Sequence, residues 1–267
     1  MGRREIAESR YRRAVHPLAW LGGVLIGVTL GLLGSGGSIL TVPILVYLVG
    51  EPQKTAIVES LVIVGLIAAG GVVPYARKGL VAWHTVVAYA APGMMGSYAG
   101  AWLAHFVSAT VQLTAFGVLM LMAAALMLKP PTLTPADPPR PVPWQVAAQG
   151  LTIGLLTGFL GVGGGFLIVP CLVLVAGLPM HVAVGTSLAT IAFNSAAGFT
   201  KSVQVLHSLG GRIHWPVVTL FTALGLAGML AGSALAGRLE HSQLKRGFGL
   251  FLVVTACYIL WRTLGGM

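Results

Sequence analysis

Two short glycine clusters carry the first chemistry worth weighing. They are Gly34-Ser35-Gly36-Gly37-Ser38 and Gly161-Val162-Gly163-Gly164-Gly165, each followed by a short apolar stretch holding one proline, Pro43 or Pro170. Consecutive glycines release the backbone from helical geometry, and the N–H groups bared at the start of the next helix can bind an anion. Packing through small residues calls for glycines spaced along one helix face, not for consecutive ones. Ser35, Gly36, Gly37 and Ser38 from one cluster, with Gly163, Gly164 and Gly165 from the other, are therefore candidate substrate-binding residues. The spaced sets Gly93/Gly96/Gly100 and Gly225/Gly228/Gly232 read instead as packing faces.

Of the six acidic residues, Glu59 alone lies inside an apolar run. A carboxylate at membrane depth is costly to hold and marks a proton or cation site by default, so Glu59 is the candidate coupling group. The competing reading sets it about one helical turn inside the interface, reaching water or pairing with Lys54. Ser60, Thr186, Ser187 and Asn194 are polar residues in apolar segments and are candidates to hydrogen-bond a polar solute. Lys201 suits a helix end at the interface, as do His84, His105, His207 and His214. These histidines lack metal-ligand spacing such as H-E-x-x-H, so no metal is expected. There is no nucleophile elbow, P-loop or carboxylate pair for an enzyme to work with, and no cofactor motif. Cys171 and Cys257 lie in separate apolar segments and read as packing residues, with no disulfide.

These residues need elements to hold them, and composition says what kind. The chain has 267 residues, 56% hydrophobic and 8% charged. Soluble domains carry about 25% charged residues, and several apolar runs here reach the roughly 20 residues that span a bilayer. An all-α polytopic membrane protein follows, with the lipid bilayer as its first partner. The net charge of +10 is spread over the N-terminus and the connections between apolar runs. That is an orientation signal, and nucleic acid is not an expected partner.

The sequence also repeats. Shifted by 127 residues, the stretch 31–61 falls on 158–188, with Gly36, Gly37, Val42, Pro43, Gly50, Pro52, Ala56, Ser60 and Leu61 matched by identical residues. Further on, Gly79 and Trp83 face Gly211 and Trp215. The organisation expected is a basic cytoplasmic N-terminus (1–16), a first transmembrane repeat (17–129), a proline-rich linker (130–144) and a second repeat (145–263). Apolar segments fall near 17–49, 54–76, 82–105 and 110–129, then 146–176, 181–200, 214–237 and 244–262. At 1.5 Å per residue, the first segment of each repeat would reach roughly 50 Å against a hydrocarbon core of about 30 Å. It must break at its glycine cluster, either in mid-membrane or as a re-entrant pair. Counting each long segment as one crossing gives eight helices in two four-helix repeats, both termini cytoplasmic. Twelve of the sixteen Lys and Arg residues then lie inside, which the positive-inside rule favours over splitting each long segment into two crossings. Four crossings per half make the repeats parallel, whereas re-entrant pairs would allow inverted ones.

The pattern Gly-x-x-Gly-x-Gly-Gly, then Val-Pro, Gly-x-Pro and Ala-x-x-x-x-Ser-Leu, present twice, resembles the sulfite exporter TauE/SafE family. The second copy, GFLGVGGGFLIVP with GLPMHVAVGTSL, is the closer match. The resemblance covers nearly the whole chain and implies a permease that exports a small sulfur oxyanion, sulfite or an organosulfonate, driven by an ion gradient. A coupling proton or sodium ion, and association with further copies of the chain, are compatible with it. The first copy departs from the pattern with Ser35 and Ser38 among the glycines and with Glu59 in place of the usual small polar residue. A passive anion channel and a membrane scaffold, in which the glycines only pack, are the alternative readings.

Overall fold

The computed structural model of the chain describes residues 17–128, 143–161, 165–236 and 241–264. The described residues are helical, without strands. In chain order the helices are α1 (Pro17–Leu33), α2 (Gly36–Pro43), α3 (Gln53–Arg77), α4 (Trp83–Leu103) and α5 (Ala109–Leu128). They are followed by α6 (Pro143–Leu160), α7 (Gly165–Leu174), α8 (Met180–Ser208), α9 (Trp215–Ala236) and α10 (His241–Leu264). Three of these are long and apolar enough to cross a membrane: Gln53–Arg77, Met180–Ser208 and Trp215–Ala236. The outer surface is apolar, with Leu21, Val87, Met95, Met122, Leu250 and Val254 all exposed, as a lipid-facing surface requires.

The segment expected over 17–49 folds back on itself. A methyl group built on Gly22 would touch Ile44, and one on Gly37 would overlap the Ile26 carbonyl, so α2 runs antiparallel to α1. Pro43 has no N–H to continue the ladder, and the chain loosens into a wider turn over Ile44–Val49 before Gly50 ends it at φ 81°. The second half does the same. Tyr89 donates to Gln149 Oε1 at 2.6 Å, and the Cys171 thiol reaches that oxygen at 3.4 Å. Position 171 on α7 thus lies beside position 149 on α6. The expected break at the glycine clusters is therefore a helical hairpin and not a straight interrupted helix.

Helices from the two halves interleave. α1 lies along α9 and α6 along α4, the two most extensive helix contacts among the described residues. Methyl groups on Gly27 and Gly31 would overlap the carbonyls of Gly225 and Met229, and methyls on Gly228 and Gly232 those of Val24 and Val28. The other pair repeats this: Gly96 and Gly100 face the Leu151 and Leu155 carbonyls, Gly154 and Gly158 those of Gly93 and Ser97. Both interfaces run parallel. α3 and α8 run antiparallel, since Gly65 meets Ser195 while Gly71 meets Leu188. With no hydrophobic drive between helices in lipid, such backbone-to-backbone approach holds them together. The packing role expected for both spaced glycine sets is what they perform here.

Smaller differences from the sequence expectation have local causes. The helix expected to end near 200 continues to Ser208. The linker expected over 130–144 ends at Pro143, which opens α6 at a position where proline suits a helix start; the rest of it lies outside the described residues. Gly79 corresponds to Gly210, not Gly211: both have left-handed φ (68° and 71°). Leu80 N–H donates to Tyr75 O as Gly211 N–H does to Leu206 O. One extra residue in the second loop restores the match of Trp83 with Trp215.

These glycine interfaces predict a specific sensitivity. Gly228→Ala drives a methyl into the Val24 carbonyl and should cost about 1–3 kcal/mol, the usual range for overpacking. The thermal midpoint of the detergent-purified protein should fall clearly, and an unchanged midpoint would show the α1–α9 contact to be looser than described.

Candidate functional site

Both hairpin tips turn on a glycine that a side chain would strain. Gly34 has φ 72° and Gly161 φ 68°, the left-handed region that ends helices. Their N–H groups close the helix by donating to Leu30 O and Thr157 O, each at 2.8 Å. Their own carbonyls would be orphaned within an apolar bundle. Each finds its donor in the other half of the chain: Ser187 Oγ donates to Gly34 O at 2.9 Å, and Ser60 Oγ donates to Gly161 O at 2.6 Å. Each hydroxyl also leans on a carbonyl of its own helix, Val184 O and Ile57 O, both at 2.8 Å. Ser60 and Ser187, expected as substrate ligands, thus share their single proton between a tip carbonyl and a carbonyl of their own helix in this conformation.

The other candidates take up varied positions. Ser35 is buried in the first turn-over, where it precedes α2 without a side-chain cap bond. Gly36 and Ser38 lie in the first turn of α2, and Gly37 faces α1 as a packing residue. Gly165 opens α7; Gly163 and Gly164 lie outside the described residues. Asn194 and Ser195 sit midway along α8, both 1% exposed. Asn194 faces Gly93 of α4 and Ser195 faces Gly65 of α3. Asn194 Oδ1 and Ser195 Oγ have no hydrogen-bond partner among the described residues. Buried polar atoms of this kind cost roughly 1–3 kcal/mol unless something fills the role.

Glu59 is fully buried, and the expected alternative of pairing with Lys54 does not occur. Lys54 Nζ is instead held by Ala104 O at 2.8 Å, Val107 O at 2.9 Å and Gln112 Oε1 at 2.6 Å, closing the corner between α4 and α5. Glu59 Oε1 accepts the His214 backbone N–H at 2.8 Å, and the His214 Nδ1 lies 3.5 Å away. That same Nδ1 is 3.0 Å from Glu51 Oε2. Glu51 and His214 were read from sequence as loop and interface residues. Comparing the copies position by position could have singled them out: the places matching Glu51, Glu59 and His214 hold Leu178, Thr186 and Ala82. Thr186 takes the corresponding bond, accepting the Ala82 N–H at 3.0 Å.

Against known proteins, the model of the family described as "Sulfite exporter TauE/SafE" matches residues 19–259. The chain belongs to that family. It is similar to a "Probable membrane transporter protein" of Xylella fastidiosa strain Temecula1, 35% identical over 248 residues, covering 90% of this chain and 93% of the relative. A protein of the same description from Haemophilus influenzae is 27% identical, with 90% and 96% covered. "Probable membrane transporter protein YunE" of Bacillus subtilis is 24% identical, with 90% and 95% covered. No solved structure matches the chain. The described architecture is thus that of a membrane transporter family, and the residues gathered around the tips are its candidates for handling solute.

The crossed serine bonds give a paired prediction. Ser60→Ala should cost about 1 kcal/mol and raise amide exchange at the α6–α7 tip. Ser187→Ala should do so at the α1–α2 tip. Exchange rising at the wrong tip, or at neither, would contradict the crossed arrangement.

Proposed function

We propose that the protein is a secondary transporter, and not an enzyme, exporting a small sulfur oxyanion such as sulfite or an organosulfonate. The observation that carries this reading is the pair of hairpin tips, each broken at a left-handed glycine and each latched to the opposite half. Broken helices at matching places in two halves are the usual setting of a transporter's midplane site. The family description points to the sulfur oxyanion. The helix starts that follow each break, with their bared N–H groups, suit an anion, and the unpartnered Asn194 and Ser195 offer neutral polar contacts near the middle of α8.

In this reading α1–α2 and α6–α7 are deep re-entrant hairpins. At 1.5 Å per residue α1 is about 25 Å long, short of the roughly 30 Å hydrocarbon core. Three helices of each half then cross fully. An odd number of crossings turns the second half upside down relative to the first, in accord with the antiparallel α3 and α8. The repeats are inverted, and both termini lie on one side, which the basic N-terminus assigns to the cytoplasm of an inner-membrane protein. Alternating access is a rocking of one half against the other, in which the tip latches open in turn. Glu59 couples the movement to a proton.

The test is flux in liposomes holding purified protein, with sulfite, sulfate and a short organosulfonate as probes. Saturable sulfite movement against its gradient, driven by an imposed pH gradient, is expected. Movement only down the gradient would mean a channel, and no flux of any probe would remove the substrate class. Asn194→Leu, which deletes the central amide, should lower sulfite flux about tenfold or more, the equivalent of one lost hydrogen bond to an ion, while the protein still inserts.

A further inference from the structure

The cluster of Glu51, Glu59 and His214 goes beyond a single coupling residue. Both carboxylate side chains are fully buried while the imidazole is 30% exposed. The three donor atoms lie within 4.8 Å of one another. Two buried carboxylates thus face one imidazole, and of the three groups the ring alone reaches solvent. Glu59 Oε2, fully buried, also has no hydrogen-bond partner among the described residues.

The equivalent junction between the two halves supplies an internal control. Gly50 and Gly177 both turn with left-handed φ. Glu51 N–H donates to Leu45 O at 2.9 Å as Leu178 N–H does to Leu172 O at 3.0 Å. The bond from His214 N–H to Glu59 is matched by the bond from Ala82 N–H to Thr186. The same backbone is therefore built with no charge at all when the three places hold leucine, threonine and alanine. Folding does not need the two carboxylates and the imidazole.

We propose that Glu51, His214 and Glu59 form a proton relay, holding one exchangeable proton that enters through the imidazole. A proton taken by the exposed edge of the ring makes an imidazolium. The Nδ1 proton then passes to Glu51 Oε2, 3.0 Å away, leaving a neutral imidazole and a neutral carboxyl. One proton has been bound and one negative charge cancelled. The set of one nitrogen and two carboxylates gives hydrogen-bond spacing, not the six or so oxygens that a hard cation prefers. This relay rests on the transporter reading, and the same Nδ1, 3.5 Å from Glu59 Oε1, gives Glu59 its access route. Glu59 is followed directly by Ser60, which holds the α6–α7 tip, so a shift of Glu59 against His214 bears on that latch through one peptide unit. Other titratable groups on the elements that meet here are Lys54 on α3, His105 after α4, His207 at the end of α8, and Arg212 before α9. Lys54 is engaged by carbonyls and Gln112.

The experiment reads the proton itself, apart from any flux. Infrared difference spectra of the purified protein in nanodiscs, taken across a pH titration, should contain a protonated-carboxyl band that vanishes as pH rises. Glu51→Gln and Glu59→Gln should each abolish or displace that band, and His214→Gln should shift the pH at which it vanishes. The substitutions that copy the equivalent neutral junction, Glu51→Leu, Glu59→Thr and His214→Ala combined, should fold, lose the band and reduce pH-driven flux to the level without a gradient. A band untouched by all three single variants overturns the relay, as does a pH-driven flux that survives the triple variant. A relay band in a protein that moves no sulfur oxyanion would sink the substrate reading and leave the relay standing. Flux driven by sodium at constant pH, lost in the triple variant, would assign the cluster to sodium and overturn the proton.

Discussion

A backbone carbonyl that has left its helix inside a lipid-facing bundle must find a donor, and this molecule is organised around two such carbonyls. Water cannot serve them at membrane depth, where irregular backbone survives only against protein or a wet cavity. Gly34 and Gly161 both create the problem by turning left-handed. Both solve it across the molecule, through Ser187 and Ser60. Neither half can complete its own hairpin alone. The interleaved glycine faces of α1 with α9 and α4 with α6 place each serine at its opposite tip, so packing and polar satisfaction are one requirement. The same dependence ties each tip to the opposite half through a serine hydrogen bond, worth about 1 kcal/mol.

Much of this was legible in the residues. Consecutive against spaced glycines separated the helix breaks from the packing faces. What could not be read was the direction of the chain after each break. The positive-inside rule counts Arg77, Lys78, Lys129 and Arg140 by side, and assigning each long segment one crossing puts them inside. The rule has no access to the contact of Gly37 with Ile26, which folds α2 back along α1. Charge bias is also weak evidence where basic residues fall on both sides, as the loop with Arg238, Lys245 and Arg246 already suggested. Ser60 and Ser187 were found as polar residues in the right helices, but their partner was a backbone atom in the other half. Backbone carbonyls leave no trace in residue types.

The charged cluster was half legible for a related reason. Glu59 stands out because it interrupts an apolar run, whereas Glu51 sits beside Pro52 and His214 beside Trp215, in places where polar residues excite no notice. Their meaning comes from the fold, which brings the loop before α3 against the loop before α9 and buries both carboxylates. Only the mismatch with Leu178, Thr186 and Ala82 marks them in the sequence, and that mismatch has weight once the three positions are known to be neighbours.

Symmetry of backbone with asymmetry of charge suits the proposed gradient-driven transport. Two equivalent hairpins give two conformations of similar energy, since exchanging their roles yields a nearly identical set of contacts. Such a molecule has no reason to prefer one orientation. On the proposed relay, a titratable cluster at one of the two equivalent junctions between the halves breaks that tie, because its charge changes with the pH of the side it meets while the neutral junction stays constant. A ligand shifts an equilibrium only by its differential affinity for the two states, and a proton bound beside Ser60 has that differential effect on one tip and not on the other. Conversely, a second charged cluster at Leu178, Thr186 and Ala82 would restore the balance and remove the bias. Seen this way, the loss of symmetry at three positions matters as much to the working of the fold as the symmetry kept at all the others.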